Sequence, residues 1–367
     1  MTAPARVRVP FNALVPGDDR AAIDAAIKRV IDRGWFILGP EVDAFEQEFA
    51  AASGTAHAVG VGTGTDAITL ILRALDIGPG DEVITSPLSA AYSALAIMMA
   101  GARPVFADID PLRLTLDPAA TAAAVTPRTR AILPVHLYGQ AAEMRAFEAI
   151  AARHNLALIE DACQAHLATS DGRPVGSIGA AGAFSFYPTK NLGALGDGGA
   201  VTTNDAGLAE RIKRLRNGGQ TSRYHHQEPG ANSRLDDLQA AVLRARLPRL
   251  RAWTLRRRAL AAIYRRDLST APVLVPPVED EGHVHHLFPV LTERRDRLQR
   301  HLVANGVETL IHYPVPIPRQ PALAGATPAE CPVADRVCAQ VLSLPIYPSL
   351  TDEDAASVAA AVCAFQD

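Results

Sequence analysis

Lys190 lies in the glycine-rich stretch FSFYPTKNLGALGDGGAV, residues 184–201, between two strand-like runs. No other lysine occurs in the dozens of residues that precede it. A glycine-rich turn lets a lysine amine swing onto a carbonyl carbon, which a solvated helix face would not allow. Ser185, at the end of the first run, is placed to donate to an anion. The stretch is either a reactive amine beside an anion ligand or a plain surface loop.

A second segment, LALIEDACQAH at 156–166, ends an apolar run with Glu160 and Asp161. Asp161 can simply cap a turn, or it can keep a heterocyclic nitrogen protonated. Gln164, three residues on, would then be a donor beside it. The segment offers an acid at a strand end, which is where ligands bind in parallel sheets.

A third segment, VGTGTDAITL at 61–70, joins a strand end to a helix start. Gly64 lets the backbone approach a ligand closely, and the free N–H groups from about Thr65 can bind an anion. The dinucleotide fingerprint would need glycine at position 65, and a Walker loop would need Gly-Lys-Ser/Thr, so neither matches. A plain turn remains the alternative interpretation of this segment alone.

Taken together, an anion site, an acid and a lysine at strand ends are the parts that a pyridoxal phosphate enzyme needs. Lys190 would form the Schiff base, Asp161 would pair with the pyridinium nitrogen, and a helix N-terminus would hold the phosphate. The freed amine of Lys190 would serve as the base for a 1,3-proton shift.

The elements that must position these residues alternate along the chain. Helical stretches separate seven strand-like runs, most of them apolar without alternation, which predicts an α/β domain with a mostly parallel sheet. The runs are 57–61, 82–85, 104–107, 130–135, 156–160, 182–186 and 199–203. After about residue 235 a long helical stretch is interrupted at Pro248, where a kink or a break is expected. Proline-rich joints around short strands follow. We therefore expect a large domain at 1–245 and a small α+β domain at 246–367.

Composition restricts the class of protein. With 367 residues, 48% hydrophobic content and a net charge of −3, the chain predicts a globular protein with no nucleic-acid or membrane partner. The four cysteines show no CxxC spacing and no signal peptide is recognisable, which favours reduced thiols in the cytoplasm. His283 and His285 can share a strand face, but no third metal ligand stands out, so no metal is expected.

Ordered motifs along nearly the whole chain resemble the DegT/DnrJ/EryC1/StrS sugar aminotransferases. The matching segments are GWFILGPEVDAFE, DIGPGDEVIT, PVFADID, PVHLYGQ, IEDACQAH, FSFYPTKNLGALGDGGAVTTND, NSRLDDLQAAVL, HYPVP and LSLPIYPSLTDED. The resemblance implies the aspartate-aminotransferase (type I) fold, pyridoxal 5'-phosphate as cofactor, and a homodimer with active sites at the subunit interface. The implied substrates are a nucleotide-linked keto-sugar and L-glutamate.

The resemblance also assigns roles to residues of this chain. It makes Lys190 the cofactor lysine and Asp161 the partner of the ring nitrogen, and it places Gln164 near the cofactor's 3-hydroxyl. The phosphate cup would comprise Gly64, Thr65 and Ser185, joined by Asn232 from the neighbouring subunit. Possible substrate contacts are Arg234, His136 and Tyr92.

Some features bear on the acceptor. The run YPTKNLGALGDGGA resembles the corresponding run of family members that aminate C3 of a hexose. The alternatives are amination at C4, amination of a keto-cyclitol, and a regulator that binds a nucleotide sugar without catalysis. Ala90 stands where members often stack an aromatic ring on the cofactor, and Tyr92 could substitute only if the loop is rearranged. Pro318 stands where a histidine near the sugar is usual.

Overall fold

The computed structural model describes residues 7–323 and 329–366. Its helices and strands alternate through the first two thirds of the chain and become sparser afterwards. The helices are α1 (Arg20–Arg33), α2 (Pro40–Ser53), α3 (Gly64–Ala74), α4 (Tyr92–Met99), α5 (Pro118–Ala123), α6 (Met144–His154), α7 (Ala206–Arg216), α8 (Asp237–Arg246), α9 (Leu250–Asp267), α10 (Arg295–Ala304), α11 (Pro332–Gln340) and α12 (Asp352–Cys363). The strands are β1 (His57–Val61), β2 (Glu82–Thr85), β3 (Arg103–Phe106), β4 (Thr129–Leu133), β5 (Ala157–Asp161), β6 (Thr169–Ser170), β7 (Arg173–Pro174), β8 (Ala181–Ser185), β9 (Gly199–Thr203), β10 (Gln220–Ser222), β11 (His225–His226), β12 (Phe288–Leu291) and β13 (Val341–Leu344).

The main sheet has the strand order β1-β9-β8-β5-β4-β2-β3 within the described ranges. Strands β3, β2, β4, β5 and β8 are parallel to one another, whereas β9 runs antiparallel to both β1 and β8. The seven expected strands are confirmed, and the sheet is mostly parallel as predicted. Because β9 alone is reversed, the carboxyl ends of β1, β5 and β8 lie at one edge of the sheet.

The sheet is buried because helices cover both of its faces. Every residue of β2 and of β9 is buried, which explains why these strands have no polar–apolar alternation in sequence. Helix α3 presents Ile68 and Leu72 to the same core as Val201 of β9. This packing fixes the start of α3 against the sheet edge.

Helix α3 begins where its sequence supplies a cap. The Thr63 hydroxyl accepts a hydrogen bond from the N–H of Asp66 at 3.0 Å, so the helix starts at Gly64. The first N–H groups of a helix have no intrahelical partner. The N–H groups of Gly64 and Thr65 therefore have no partner within α3, which begins beside the end of β8.

The C-terminal part of the chain forms a second core. Strands β12 and β13 pair antiparallel, and α9, α10 and α12 contribute to the same apolar cluster. The expected break at Pro248 is confirmed: α8 ends at Arg246, a 3-10 turn covers Leu247–Arg249, and α9 starts at Leu250. Val9 packs into this second core and bridges to Val307. The division into domains at 1–245 and 246–367 remains a prediction.

Across residues 7–323 and 329–366, no helix is both long enough and apolar enough to traverse a bilayer.

Candidate active site

Three segments singled out in the sequence meet at the carboxyl edge of the sheet. A methyl group placed on Gly64 would lie 2.7 Å from Cys163 Sγ and 2.8 Å from Ser185 Cβ, distances that real side chains do not adopt. The start of α3 therefore packs directly against the end of β8 and against the turn after β5. Only glycine permits this approach, which is why the segment carries one there.

Asp161, the last residue of β5, is a buried acid with two donors. Its Oδ2 accepts from the Ser93 hydroxyl at 2.7 Å, and its Oδ1 accepts from the N–H of Cys163 at 3.2 Å. The side chain is only 4% exposed, and no arginine or lysine forms an ion pair with it among the described residues. The carboxylate is thus held in a fixed orientation and keeps lone pairs for a further cationic partner.

Lys190 lies in the turn after β8, where its N–H donates to Tyr187 O at 2.8 Å. Burial lowers the pKa of the Lys190 amine, and the nearby Cys163 and Asp161 oppose this effect. Loss of hydration disfavours the ammonium form. A larger share of the amine is consequently neutral, and so nucleophilic, than for an exposed lysine at the same pH.

The residue that follows Lys190 is anchored from the C-terminal part of the chain. Asn191 donates to Val284 O at 3.0 Å, and its Oδ1 lies 3.2 Å from Nδ1 of His286. All three residues are buried. The segment 284–286 therefore holds the lysine turn in place from the C-terminal part of the chain.

Gln164 joins the site to two tyrosines. Its Oε1 accepts from the N–H of Tyr138 at 2.7 Å, and its Nε2 donates to the Tyr313 hydroxyl at 3.0 Å. Burial raises the pKa of Tyr313 to about 12, so this hydroxyl stays protonated at neutral pH and can still donate. The contact of Gln164 with a 3-hydroxyl stays a prediction.

His136 lies behind the site. Its Nδ1 accepts from the N–H of Ala142 at 3.1 Å, and its Nε2 lies 3.2 Å from Glu160. The ring is fully buried. Because both ring nitrogens already have protein partners, His136 supports the end of β5, and its expected contact with substrate stays a prediction.

The expected phosphate ligand Asn232 and the expected substrate contacts Arg234 and Tyr92 lie toward the molecular surface. Arg234 donates to Asn217 Oδ1 at 3.1 Å, and Asn232 is exposed. Tyr92, at the start of α4, is 64% exposed. None of these three has a described hydrogen bond to Lys190 or Asp161. Their roles toward phosphate and substrate stay predictions.

The two departures from the family pattern lie on loops that are connected to each other. Ala90 precedes α4, and the 3-10 turn Ile317–Arg319 contains Pro318. The N–H of Ile317 donates to Pro87 O at 2.8 Å, which ties this turn to the loop that carries Ala90. The two departures therefore lie on segments that are hydrogen-bonded to each other.

A cleft of about 490 Å³ opens beside the lysine turn. It is bounded by the N-terminal segment 12–19, by the turn 188–195 that includes Lys190, and by the start of α9. Arginines are frequent on its wall: Arg246, Arg249, Arg256 and Arg257. The cleft can admit a small anionic molecule to the wall that includes the lysine turn.

His283 and His285, the two histidines considered as metal ligands, contact each other and an acid. The rings of His283 and His285 stack 3.9 Å apart, and His285 Nε2 lies 2.8 Å from Glu279. Within 7–323 and 329–366, no group of three or more His, Cys, Asp or Glu is arranged to hold a metal ion.

Three residues at or beside the site were not predicted from the sequence: Ser93, Tyr313 and Arg257. Ser93 follows the atypical Ala90 loop, and Tyr313 belongs to the quoted HYPVP segment, so each had a local signal. Arg257 belongs to the arginine-rich run RARLPRLRAWTLRRR, residues 244–258, in which the sequence alone does not distinguish it from its neighbours. Only its burial in the folded chain, at 4% exposure, distinguishes it.

Comparison with known proteins places these features in a family context. A model of the DegT/DnrJ/EryC1/StrS aminotransferase family matches residues 18–363. The dTDP-3-amino-3,4,6-trideoxy-alpha-D-glucose transaminase of Streptomyces venezuelae is 52% identical over 97% of this chain and 95% of its own length.

Two crystal structures are similar over nearly the entire fold. S. venezuelae DesV in complex with a ketimine intermediate gives a TM-score of 0.95 at 50% identity, covering 98% of this chain and 100% of DesV. NtdA of Bacillus subtilis with bound cofactor PMP gives a TM-score of 0.91 at 31% identity, and the match covers 99% of this chain and 86% of NtdA. The expected type I fold class is confirmed.

Proposed function

The chain belongs to the DegT/DnrJ/EryC1/StrS aminotransferase family, and we propose that it moves an amino group from L-glutamate to C3 of a nucleotide-linked keto-hexose. The observation that carries this proposal is the convergence of Lys190, Asp161 and the start of α3 at one sheet edge. The relative from S. venezuelae, named as a 3-amino-sugar transaminase, supports amination at C3.

Pyridoxal phosphate fits the residues at this edge. A methyl on Gly64 would collide with Cys163 and Ser185, so the backbone forms a cradle that only glycine leaves open. The N–H groups at the start of α3 and the Ser185 hydroxyl suit a phosphate. Asp161 is a buried acceptor suited to a protonated ring nitrogen. When bound, the cofactor supplies an electron sink for the carbanion next to the transferred nitrogen.

The chain's own residues account for the proton movements. Because its lowered pKa leaves a larger neutral share of the amine, Lys190 Nζ can take the proton from the α-carbon of the amino donor and return it to the carbon on the other side of the transferred nitrogen. Asp161 holds the proton on the ring nitrogen and is itself oriented by Ser93 and by the N–H of Cys163. The second half-reaction runs these transfers in reverse, so that Lys190 delivers a proton to the carbon that was the ketone of the sugar.

We also propose that the protein is a homodimer located in the cytoplasm. Asn232, expected to reach the phosphate of a neighbouring subunit, is exposed in the single chain and so is available to a second copy. A homodimer with shared active sites follows from that expectation. Four free thiols fit a reducing cytoplasm.

The acceptor is tested by incubating the holoenzyme with L-glutamate and with dTDP-linked 3-keto or 4-keto hexoses, while following 2-oxoglutarate and the aminated sugar. We expect turnover with the 3-keto sugar. Turnover only with the 4-keto sugar, or with a keto-cyclitol, would replace the acceptor. If every acceptor fails although the nucleotide sugar binds, the chain is a regulator.

The Ser93→Ala variant should lower kcat/KM about 10- to 100-fold, because it removes a hydrogen bond to a buried charged group. The loss should appear in both half-reactions, since Asp161 serves both. Ser269→Ala, which removes a hydroxyl at an exposed helix end, is the matched control. Wild-type kinetics in Ser93→Ala would show that Asp161 is oriented without the serine.

A further inference from the structure

The loop that leads into α3 is held by Ser233, a residue far away in the sequence. The Ser233 hydroxyl accepts from the N–H of Gly62 at 2.9 Å and donates to Asp66 Oδ2 at 2.8 Å. The Ser233 residue is only 4% exposed. Gly62 precedes the helix and Asp66 lies in its first turn. One buried hydroxyl therefore bonds to the chain on both sides of Gly64 and Thr65, which belong to the expected phosphate cup.

Asp66 stands at a position where its carboxylate could interfere with an anion. It follows the N-cap Thr63 by three residues, and an acidic side chain there can reach back to the N–H groups at the start of its own helix. It would then compete with a phosphate for the same positive helix end. A methyl group placed on Gly62 would lie 3.1 Å from Asp66 Oδ2. The bond from Ser233 thus keeps this carboxylate beside Gly62.

The backbone that carries Ser233 is itself fixed. The N–H of Ala231 donates to Leu215 O at 2.7 Å, and the N–H of Ser233 donates to Arg216 O at 2.9 Å. Arg216 is buried, and its Nη1 donates to the carbonyl oxygen of Gly60 in β1 at 2.7 Å. The end of α7 therefore ties the segment 231–233 to the strand that precedes the loop. A hydroxyl on such a segment can hold its partners at fixed positions.

Adjacent residues of this segment face different surroundings. Asn232 is exposed, whereas Ser233 is buried against the loop of its own chain. Asn232 is the residue expected to reach the phosphate of a neighbouring subunit. The segment 232–233 would then serve two phosphate cups, one in each subunit.

We propose that Ser233 is a positioning residue for the cofactor phosphate, an inference that rests on the aminotransferase function proposed above. Its hydroxyl fixes the loop through Gly62 and prevents Asp66 from occupying the helix end that the phosphate needs. Without the hydroxyl, the N–H of Gly62 loses its acceptor and the Asp66 carboxylate loses its donor. The carboxylate is then free to turn toward the start of α3, where it repels a phosphate.

The test compares two ligands that differ only in the phosphate. Full-length protein freed of cofactor is titrated with pyridoxal phosphate and with pyridoxal, and the visible absorption of each bound aldehyde is followed. For Ser233→Ala, we expect the Kd of pyridoxal phosphate to rise about 10-fold or more, because a hydrogen bond to a charged group is lost. The Kd of pyridoxal should change by less than about threefold, since pyridoxal has no phosphate to misplace.

A second substitution tests the role of Asp66. Adding Asp66→Asn to Ser233→Ala should recover at least about threefold of the lost affinity for pyridoxal phosphate, because a neutral amide no longer repels the phosphate. Ser233→Cys keeps the shape of the side chain and leaves only a weak donor, so it should show the same phosphate-specific loss even if Ser233→Ala folds poorly.

Ser53→Ala is the matched control, because it removes a buried hydroxyl that has no hydrogen-bond partner among the described residues. It should bind both ligands like the wild type. Equal weakening of pyridoxal and pyridoxal phosphate in the Ser233 variants, or no weakening, would overturn the positioning role, and so would a double variant without recovery. A wild-type protein that binds neither aldehyde would instead overturn the proposed function.

Discussion

Replacing Lys190 with alanine should lower the rate of transamination by at least about 10⁴-fold. General-base catalysis alone contributes about 10²- to 10⁴-fold, and the variant also loses the amine that bonds to the cofactor aldehyde. The measurement is single-turnover conversion with L-glutamate, together with the visible absorption of protein loaded with pyridoxal phosphate. The absorption band of the cofactor bonded to Lys190 should be absent.

The control for this variant is Lys28→Ala, which removes an exposed lysine paired with Asp32 on α1. It should react like the wild type. If Lys190→Ala retained both the band and the glutamate reaction, the assignment of Lys190 would be wrong, and another amine would have to be sought. A folded Lys190→Ala protein that still binds the nucleotide sugar would show that binding and chemistry are separable.

Asp161→Asn should lower kcat/KM about 10²- to 5 × 10³-fold, the second-largest expected effect. Removing one member of a buried charge pair costs about 3–5 kcal/mol, and each 1.4 kcal/mol corresponds to about tenfold in rate. The amide oxygen of asparagine can replace Oδ1 and accept from the N–H of Cys163, and its NH2 group can donate to the Ser93 hydroxyl, which can turn to accept, so the fold should be preserved. What is lost is the negative charge opposite the ring nitrogen.

Both half-reactions should slow in Asp161→Asn, while the melting temperature stays close to that of the wild type. Asp24→Asn, which removes an exposed ion pair with Arg20, is the control for loss of a carboxylate. A rate within about threefold of wild type in Asp161→Asn would show that this acid is structural.

The strands and their order along the chain were predictable because they depend on local pattern. Strands β1, β2, β5, β8 and β9 fall within one residue of the expected runs, since buried apolar runs bounded by Gly, Pro or Asp have few alternatives. The break at Pro248 was predictable for a similarly local reason, because proline cannot donate an internal helical hydrogen bond.

The meeting of Gly64, Asp161 and Ser185 at one edge was also predictable, but only through a rule about sheets. Strands that run in the same direction present their carboxyl ends together, so residues far apart in sequence converge. The reversed direction of β9 was not foreseen. It depends on pairing with both β1 and β8, which no local run of residues specifies.

The sequence by itself therefore determined the kind of chemistry: a lysine in a glycine-rich turn, an acid at a strand end and a glycine before a helix. The tertiary structure alone decided which side chains support that chemistry. Ser93 reaches Asp161, and His286 links Lys190's neighbour to Arg257. These contacts join residues dozens or more positions apart. Burial and partner choice are properties of the packed chain, and residue type and spacing do not encode them.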